Sequence, residues 1–343
     1  MLIKLDYQYV RPFLSKVLPT QYLTSLYSFF RPLAHHVLKN AHFESIIIEK
    51  SVHVMGLTFR NSLGVAAGFD KSGELLPFLY RLGAGYVVVG TALDQPHKGN
   101  PGTPWVPLAH SHAAINRLGL PSPGIDVVLQ NIQKFREKYN AQNFPIGLSV
   151  MGHPLQSAKE KEKGMIECIR KSVGIVDFVE LNQSCPNVGE DLEKLEIPLD
   201  AFTFDVPIVV KLQPMLPQKK ILDLCANGKI HALVISNTQK DFDISNIDLK
   251  DQSHAQYFQK KYGGGLSGKP LLEKNLEYLK EWKRELDACG ANTQLIGCGG
   301  ILDHEDVVRY MDFCTLTQVY TGLWEAYAMH GPQKTWKHLL LGL

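Results

Sequence analysis

None of the six cysteines (Cys168, Cys185, Cys225, Cys289, Cys298, Cys314) stands in CxxC or CxxxxC spacing, so neither a zinc site nor an iron–sulfur cluster is written into the chain. Scattered thiols of this kind suit a reducing cytoplasm. No run of about 18 apolar residues is present, which excludes a bilayer-spanning helix. No secretory signal pattern opens the chain, so export is not expected. The lysines and arginines form no continuous block and the net charge is only +2, which argues against nucleic acid as a partner. GxGxxG is missing as well. The first glycine-bearing strand end reads Gly64-Val65-Ala66-Ala67-Gly68-Phe69-Asp70-Lys71, against a doubly wound dinucleotide-binding sheet.

What is present is apolar material for a large core: 45% hydrophobic residues and 20% charged over 343 residues, the size of an eight-fold α/β barrel with an appendage. After residue 60 one pattern recurs, a short β-rich apolar run ending in Gly, Ser, Asn or Lys and then a polar, helix-compatible stretch. Eight such runs occur, at Gly64–Ala67, Tyr86–Val89, Pro145–Val150, Asp177–Leu181, Pro207–Leu212, Ala232–Ser236, Leu295–Cys298 and Thr315–Tyr320. Strands alternating with helices imply a parallel sheet, and eight of them imply closure into a (β/α)8 TIM barrel. The segment Ile47–Phe59 reads as a hairpin over the barrel's amino-terminal mouth.

Residues 1–42 differ from the barrel region 43–343. Tyr7, Val10, Phe13, Leu14, Val17 and Leu18, then Tyr22, Leu23, Leu26, Tyr27, Phe29, Phe30 and Leu33, recur at helical spacing and predict two short amphipathic helices hinged at Pro19. Lys4, Arg11, Lys16, Arg31 and Lys39 accompany them with Asp6 as the single acid. A basic face beside an aromatic one suits a helix pair lying on a membrane surface; a helical cap docked on the barrel is the alternative.

In a parallel barrel the chemistry gathers at the carboxyl ends of the strands. Here those ends carry Gly68, Asp70 and Lys71; Gly90 and Thr91; Ser149; Asn182 to Asn187; Lys211; Ser236, Asn237 and Thr238; Gly299 and Gly300; and Thr321 and Gly322. Acids are few. Amides, hydroxyls and lysines suit a planar, anionic, hydrogen-bonding substrate better than a metal or a sugar. Small residues in Ile296–Ile301 and Tyr320–Leu323, with Gly263–Gly268 beside them, let backbone amides approach a phosphate after the last two strands. Their alternative is tight turns alone. Lys211 ends the apolar strand Ile208–Val210 and needs an anionic partner, which the N1–O2 edge of a reduced flavin or an ordinary ion pair would supply. Lys71 is placed to clamp a substrate carboxylate or to pair with Asp70.

The run Leu181-Asn182-Gln183-Ser184-Cys185-Pro186-Asn187 sets a thiol between hydrogen-bonding amides on the turn after a strand. Cysteine is commonly a small buried hydrophobe. On a polar turn it is instead placed to remove a proton from carbon beside a carbonyl, once its environment helps it ionise.

Seven ordered motifs carry a resemblance over almost the whole chain: Ala66–Glu74, Ile115–Leu120, Asn182–Asn187, Val210-Lys211, Ser236–Thr238, Gly264–Leu271 and Ile296–Ile301. The chain resembles the dihydroorotate dehydrogenases, FMN-dependent barrels of pyrimidine synthesis. The resemblance implies that Cys185 takes the C5 proton of dihydroorotate while the C6 hydride passes to FMN, giving orotate. It implies that Lys71, Asn116, Asn182, Asn187, Asn237 and Thr238 hold the substrate and that Lys211 stabilises the reduced flavin. Ala66, Ala67, Gly68, Thr91, Ser149, Ser236, Gly268, Gly299, Gly300, Tyr320 and Thr321 would line FMN, the last four nearest its phosphate.

The family divides by electron acceptor. The helix pair and Ala67–Glu74 resemble the membrane-associated, quinone-dependent class, in which serine is the usual base. Cys185, Leu120-Pro121 and Ser149–Gly152 resemble the soluble class that uses fumarate or NAD. Pro107 stands where the quinone-dependent class usually has an arginine, and Val188–Asp191 replaces the usual Pro-Gly turn, implying a reduced lid. The reading favoured is quinone reduction by a peripheral protein on the cytoplasmic side of the inner membrane, with Leu14, Val17, Leu26 and Phe30 forming an apolar tunnel. A soluble, cytoplasmic fumarate-dependent enzyme is the alternative. A non-catalytic flavin-binding relative is a further one, against which the set of Lys71, four asparagines, Cys185 and Lys211 argues.

Overall fold

The computed structural model describes residues 2–182 and 198–343. Its strands, in chain order, are β1 (Val52–Val54), β2 (Leu57–Phe59), β3 (Leu63–Val65), β4 (Val87–Ala92), β5 (Trp105–Leu108), β6 (Ala113–Asn116), β7 (Ile146–Val150), β8 (Phe178–Asn182), β9 (Ile208–Leu212), β10 (Ala232–Ile235), β11 (Gly265–Gly268), β12 (Gln294–Cys298) and β13 (Leu316–Val319). Eight of them close a parallel barrel in the order β3-β4-β7-β8-β9-β10-β12-β13, each overlapping one of the apolar runs read from the sequence. Barrel strands are buried on both faces, which is why they read as unbroken apolar runs. Phe178 points inward to Tyr86, Val209 and Ile296, whereas Val179 and Leu181 point outward to the layer holding Cys168 and Ile169.

The hairpin expected at the amino-terminal mouth is β1–β2, registered Val52↔Phe59. It drives Phe59 into the barrel, with its ring edge-on to Tyr86 at 5.1 Å.

A second sheet, unsuspected from periodicity, pairs β5, β6 and β11 antiparallel. Its strands are short and lie in loop-like sequence. They are held together because their apolar side chains share a core with the amino-terminal helices: Val106, Leu108, Ile115 and Leu266 pack with Leu23 and Tyr27.

Those helices differ from expectation in two ways. The first runs from Leu2 to Val17 with a π-turn at Asp6–Val10, and Leu18 is extended because a residue before proline avoids the helical region. The second is not short; it covers Thr20–Lys39 and continues through Pro32. Nor do all the basic residues form an outer face. Arg11 turns inward, paired with Asp6 at 2.8 Å and lying 4.2 Å over the Tyr7 ring. The extension is therefore docked, and its tie to the barrel is polar as well as apolar: buried His254 contacts Thr20 Oγ1 at 2.8 Å through Nδ1 and the Ser15 carbonyl at 2.6 Å through Nε2.

Candidate active site

The carboxyl ends of the barrel strands, together with β6 and β11, wall a cleft that opens to solvent. Ala66, Ala67, Gly68, Lys71, Thr91, Asn116, Asn182, Lys211, Ser236, Asn237, Thr238, Gly268, Gly299, Gly300, Tyr320 and Thr321 all line it. Two expected residues, Cys185 and Asn187, lie outside the described residues, as does the turn that replaces the usual lid sequence. Ser149 does not line the cleft. It is fully buried, with its hydroxyl 3.1 Å from that of Thr91.

That hydroxyl ends a chain of side-chain hydrogen bonds. Asn237 Nδ2 donates to Asn182 Oδ1 at 3.1 Å, Asn182 Nδ2 donates to Thr91 Oγ1 at 2.9 Å, and the Thr238 backbone N–H donates to Asn237 Oδ1 at 2.8 Å. Each amide is locked by its neighbour, so its remaining donors and acceptors present a fixed pattern to a planar ligand.

Lys71 is carried by a loop fixed by Asp70, whose buried carboxylate accepts the backbone N–H groups of Gly73 at 2.8 Å, Leu75 at 2.9 Å and Ser72 at 3.2 Å. Burial pushes the Asp70 carboxyl up to about 6, against the pull of those amides. A carboxylate spent on the backbone orients the loop, and an ideal Cβ on Gly68 would stand 3.9 Å from Lys71 Nζ. The floor is Lys211, whose Nζ donates to Gln318 Oε1 at 3.5 Å and reaches Cys298 Sγ at 3.9 Å. Burial alone would depress this ammonium. Cys298 and Glu180 more than offset that, so its net shift is upward.

The glycines answer to backbone conformation in one place and to packing in another. Gly299 and Gly300 have φ of +115° and +77°, and a Cβ on Gly299 would lie 2.3 Å from Asn275 Nδ2; only glycine lets this backbone face the cleft. Gly264 instead answers to packing, since a Cβ there would meet the Asn116 carbonyl at 2.3 Å. Beside them the helix Thr321–His330 begins, with Thr321 and Gly322 of its first turn lining the cleft.

Four residues escaped the sequence reading. Asn275 takes the Ser236 hydroxyl at 2.9 Å and donates to the Cys298 carbonyl at 2.9 Å; its signal is an amide on the apolar stripe of Leu272, Leu276 and Leu279. Glu180, an acid at an inward position of β8, was equally visible. Gln318 was not, because only barrel closure brings β13 opposite β9. Ser267 of β11, accepting from Thr321 Oγ1 at 3.2 Å, is placed by the small sheet alone.

Fold and site together define a (β/α)8-barrel protein with a cleft at the carboxyl ends of its strands, lined by amides, hydroxyls, glycines and two lysines. The family model that matches residues 50–333 is that of dihydroorotate dehydrogenase. The chain is 29% identical over 303 residues to a dihydroorotate dehydrogenase (quinone) of Vibrio vulnificus, covering 82% of this chain and 84% of that one. It is 30% identical over 290 residues to the protein of the same name from Burkholderia ambifaria, covering 78% and 79%. A crystal structure of the Eimeria tenella dihydroorotate dehydrogenase with ferulenol superimposes with a TM-score of 0.75 at 22% identity, over 91% of this chain and 92% of that one, which shows the shared fold. This chain belongs to the dihydroorotate dehydrogenase family, flavin-dependent oxidoreductases of pyrimidine biosynthesis.

Proposed function

We propose that the chain binds FMN in this cleft, oxidises (S)-dihydroorotate to orotate there, and passes the electrons to a membrane quinone. The observation that carries the reading is the convergence on one cleft of Lys71, Asn116, Asn182, Asn237 and Thr238 with Lys211 at its floor. The residues present fit FMN: the glycine cradle at Gly299–Gly300 and the start of the Thr321 helix suit its phosphate, and the buried Lys211 ammonium suits an anionic ring edge. When bound, FMN accepts the hydride from C6.

The chain's own residues do the rest. Lys71 holds the substrate carboxylate, while the locked amides of Asn182 and Asn237, with Asn116, Asn187 and Thr238, hold the pyrimidine ring. Cys185 takes the proton from C5. Ala66, Ala67, Gly68, Thr91, Ser236, Gly268 and Tyr320 bound the flavin, with Ser149 supporting Thr91 from behind.

Quinone as acceptor is supported by the names of the relatives and by the extension. Phe13, Val17, Phe29, Phe30 and Leu33 stay exposed on it, with Lys4 and Lys16 exposed nearby, while Leu14 and Leu26 are half-buried. Among the described residues no helix is long and apolar enough to cross a membrane. On this reading the protein is a peripheral enzyme on the cytoplasmic side of the inner membrane. Arg31 of the extension has Thr103 Oγ1 as its hydrogen-bond partner at 3.3 Å and sits within electrostatic reach of Tyr320. It brings a guanidinium to the cleft rim in a chain that has Pro107 where an arginine is usual.

The test is the anaerobic visible spectrum of the purified protein before and after dihydroorotate, followed by quinone or fumarate. A flavin band that bleaches and returns with quinone is expected. Return with fumarate alone would assign the enzyme to the soluble class, and a band that never bleaches would remove the catalytic reading.

A further inference from the structure

The layer beneath the cleft holds an acid that the reaction above does not use. On β8 the inward positions are Phe178, Glu180 and Asn182. Asn182 lines the cleft and Phe178 belongs to the apolar interior; Glu180 lies between them, fully buried. A carboxylate in such a place is costly unless a cation and hydrogen bonds compensate. Among the described residues Glu180 Oε1 meets no hydrogen-bond partner, and Oε2 accepts from Gln318 Nε2 at 3.5 Å. The other end of the same amide, Gln318 Oε1, accepts from Lys211 Nζ at 3.5 Å. Gln318 thus spans the gap between ammonium and carboxylate, with its carbonyl toward the one and its NH2 toward the other.

Two further titratable groups face this layer. Burial pushes the Cys298 thiol up, although Lys211 pulls it the other way. Burial also raises Tyr86 well above its ordinary range, and its hydroxyl donates to the Thr317 carbonyl at 3.0 Å. Of the acids facing this layer, Glu180 is the one that reaches Lys211 through the Gln318 amide.

We propose that Glu180 is the counter-charge of Lys211, tethered through Gln318, and that it limits how strongly Lys211 favours a reduced flavin in the cleft above. Glu180 is a positioning residue: it lines no part of the cleft and acts on the flavin by balancing the ammonium that does. The proposal rests on the FMN reading. A carboxylate below the ring disfavours the extra negative charge of reduction, so neutralising it makes the flavin easier to reduce.

The experiment is an anaerobic redox titration of the FMN-loaded enzyme, comparing wild type with Glu180→Gln and Glu180→Leu. E180Q keeps the shape. E180L replaces a buried charge with an apolar side chain of similar volume, a change that cores often tolerate, and covers the case in which the amide variant does not fold. Both are expected to shift the balance toward reduced flavin by roughly tenfold, about 30 mV for a two-electron couple. A purely structural Glu180 would move the melting temperature and leave the potential in place. A potential that is unchanged or lower in the folded variants overturns the proposal. Wild-type protein that takes up no FMN fails the functional reading itself, and the proposal with it.

Discussion

Trp105 and Asn116 face each other across β5 and β6 as a registered cross-strand pair. Asn116 lines the cleft, and the Trp105 ring stands edge-on to Tyr27 of the amino-terminal extension with centroids 5.6 Å apart. The extension thereby supports the small sheet that carries Asn116. From sequence alone, removing the first forty residues is expected to spare flavin reduction and abolish quinone reduction. The shared core of Leu23, Tyr27, Val106 and Ile115 leads to a different expectation: truncation disturbs both half-reactions. Tyr27→Ala should destabilise the protein by about 3–5 kcal/mol, as for other large buried aromatics, and raise the KM for dihydroorotate. Thermal melts and steady-state kinetics check this; an unchanged KM would show that the extension does not support Asn116.

The acceptor side is separable by milder changes. Replacing Phe13, Phe29 and Leu33, all exposed, with serine should reduce flotation with liposomes while leaving flavin reduction by dihydroorotate intact. Arg31→Ala should raise the KM for quinone without slowing the reductive half-reaction. Loss of flavin reduction in either variant would place these residues in the fold rather than at the acceptor.

Asn182 is the middle of the chain from Asn237 to Thr91. Its replacement by alanine takes one hydrogen bond from each neighbour while both keep others, a loss of about 1–3 kcal/mol in all. A fall in kcat/KM of roughly 5- to 150-fold is the expected result, from about 1.4 kcal/mol per decade. Stopped-flow flavin reduction measures it directly.

Cys185→Ala should keep FMN and slow its reduction by roughly 10²- to 10⁴-fold, the usual contribution of a positioned base. Near-normal reduction would assign the proton to Ser184 or to water.

His112 and Glu325 pair at 2.5 Å, and Tyr7 donates to the same carboxylate at 3.3 Å, joining the β5–β6 turn, the Thr321–His330 helix and the extension. The hydrogen bond to Glu325 raises the His112 pKa against its partial burial. A histidine whose folded pKa is raised contributes stability that is fully present below its ordinary value of about 6.5 and is lost as pH rises through the folded value. The melting advantage of wild type over His112→Asn should therefore be present near about pH 5.5 and gone near about pH 9. A difference that does not change with pH would mean the contact is not ionic. Since His112 is half-exposed, the effect is a modest one.

The barrel, its strand ends and most of the cleft lining were legible in the sequence because each depends on local pattern. Apolar runs of strand length mark the barrel strands, and the residue that ends a run is carried to the mouth by its own strand. Lys211, Asn182 and Thr91 needed nothing more. Tertiary structure decided what no local pattern encodes. Arg11 turned inward because Asp6, Tyr7 and Tyr27 surround it, and Asn116 met Gly265 because β6 and β11 pair across a long separation in the chain. Gln318 came between Lys211 and Glu180 only through closure of the barrel. Periodicity reports which face of an element is buried; which buried faces meet is settled by the folded chain as a whole.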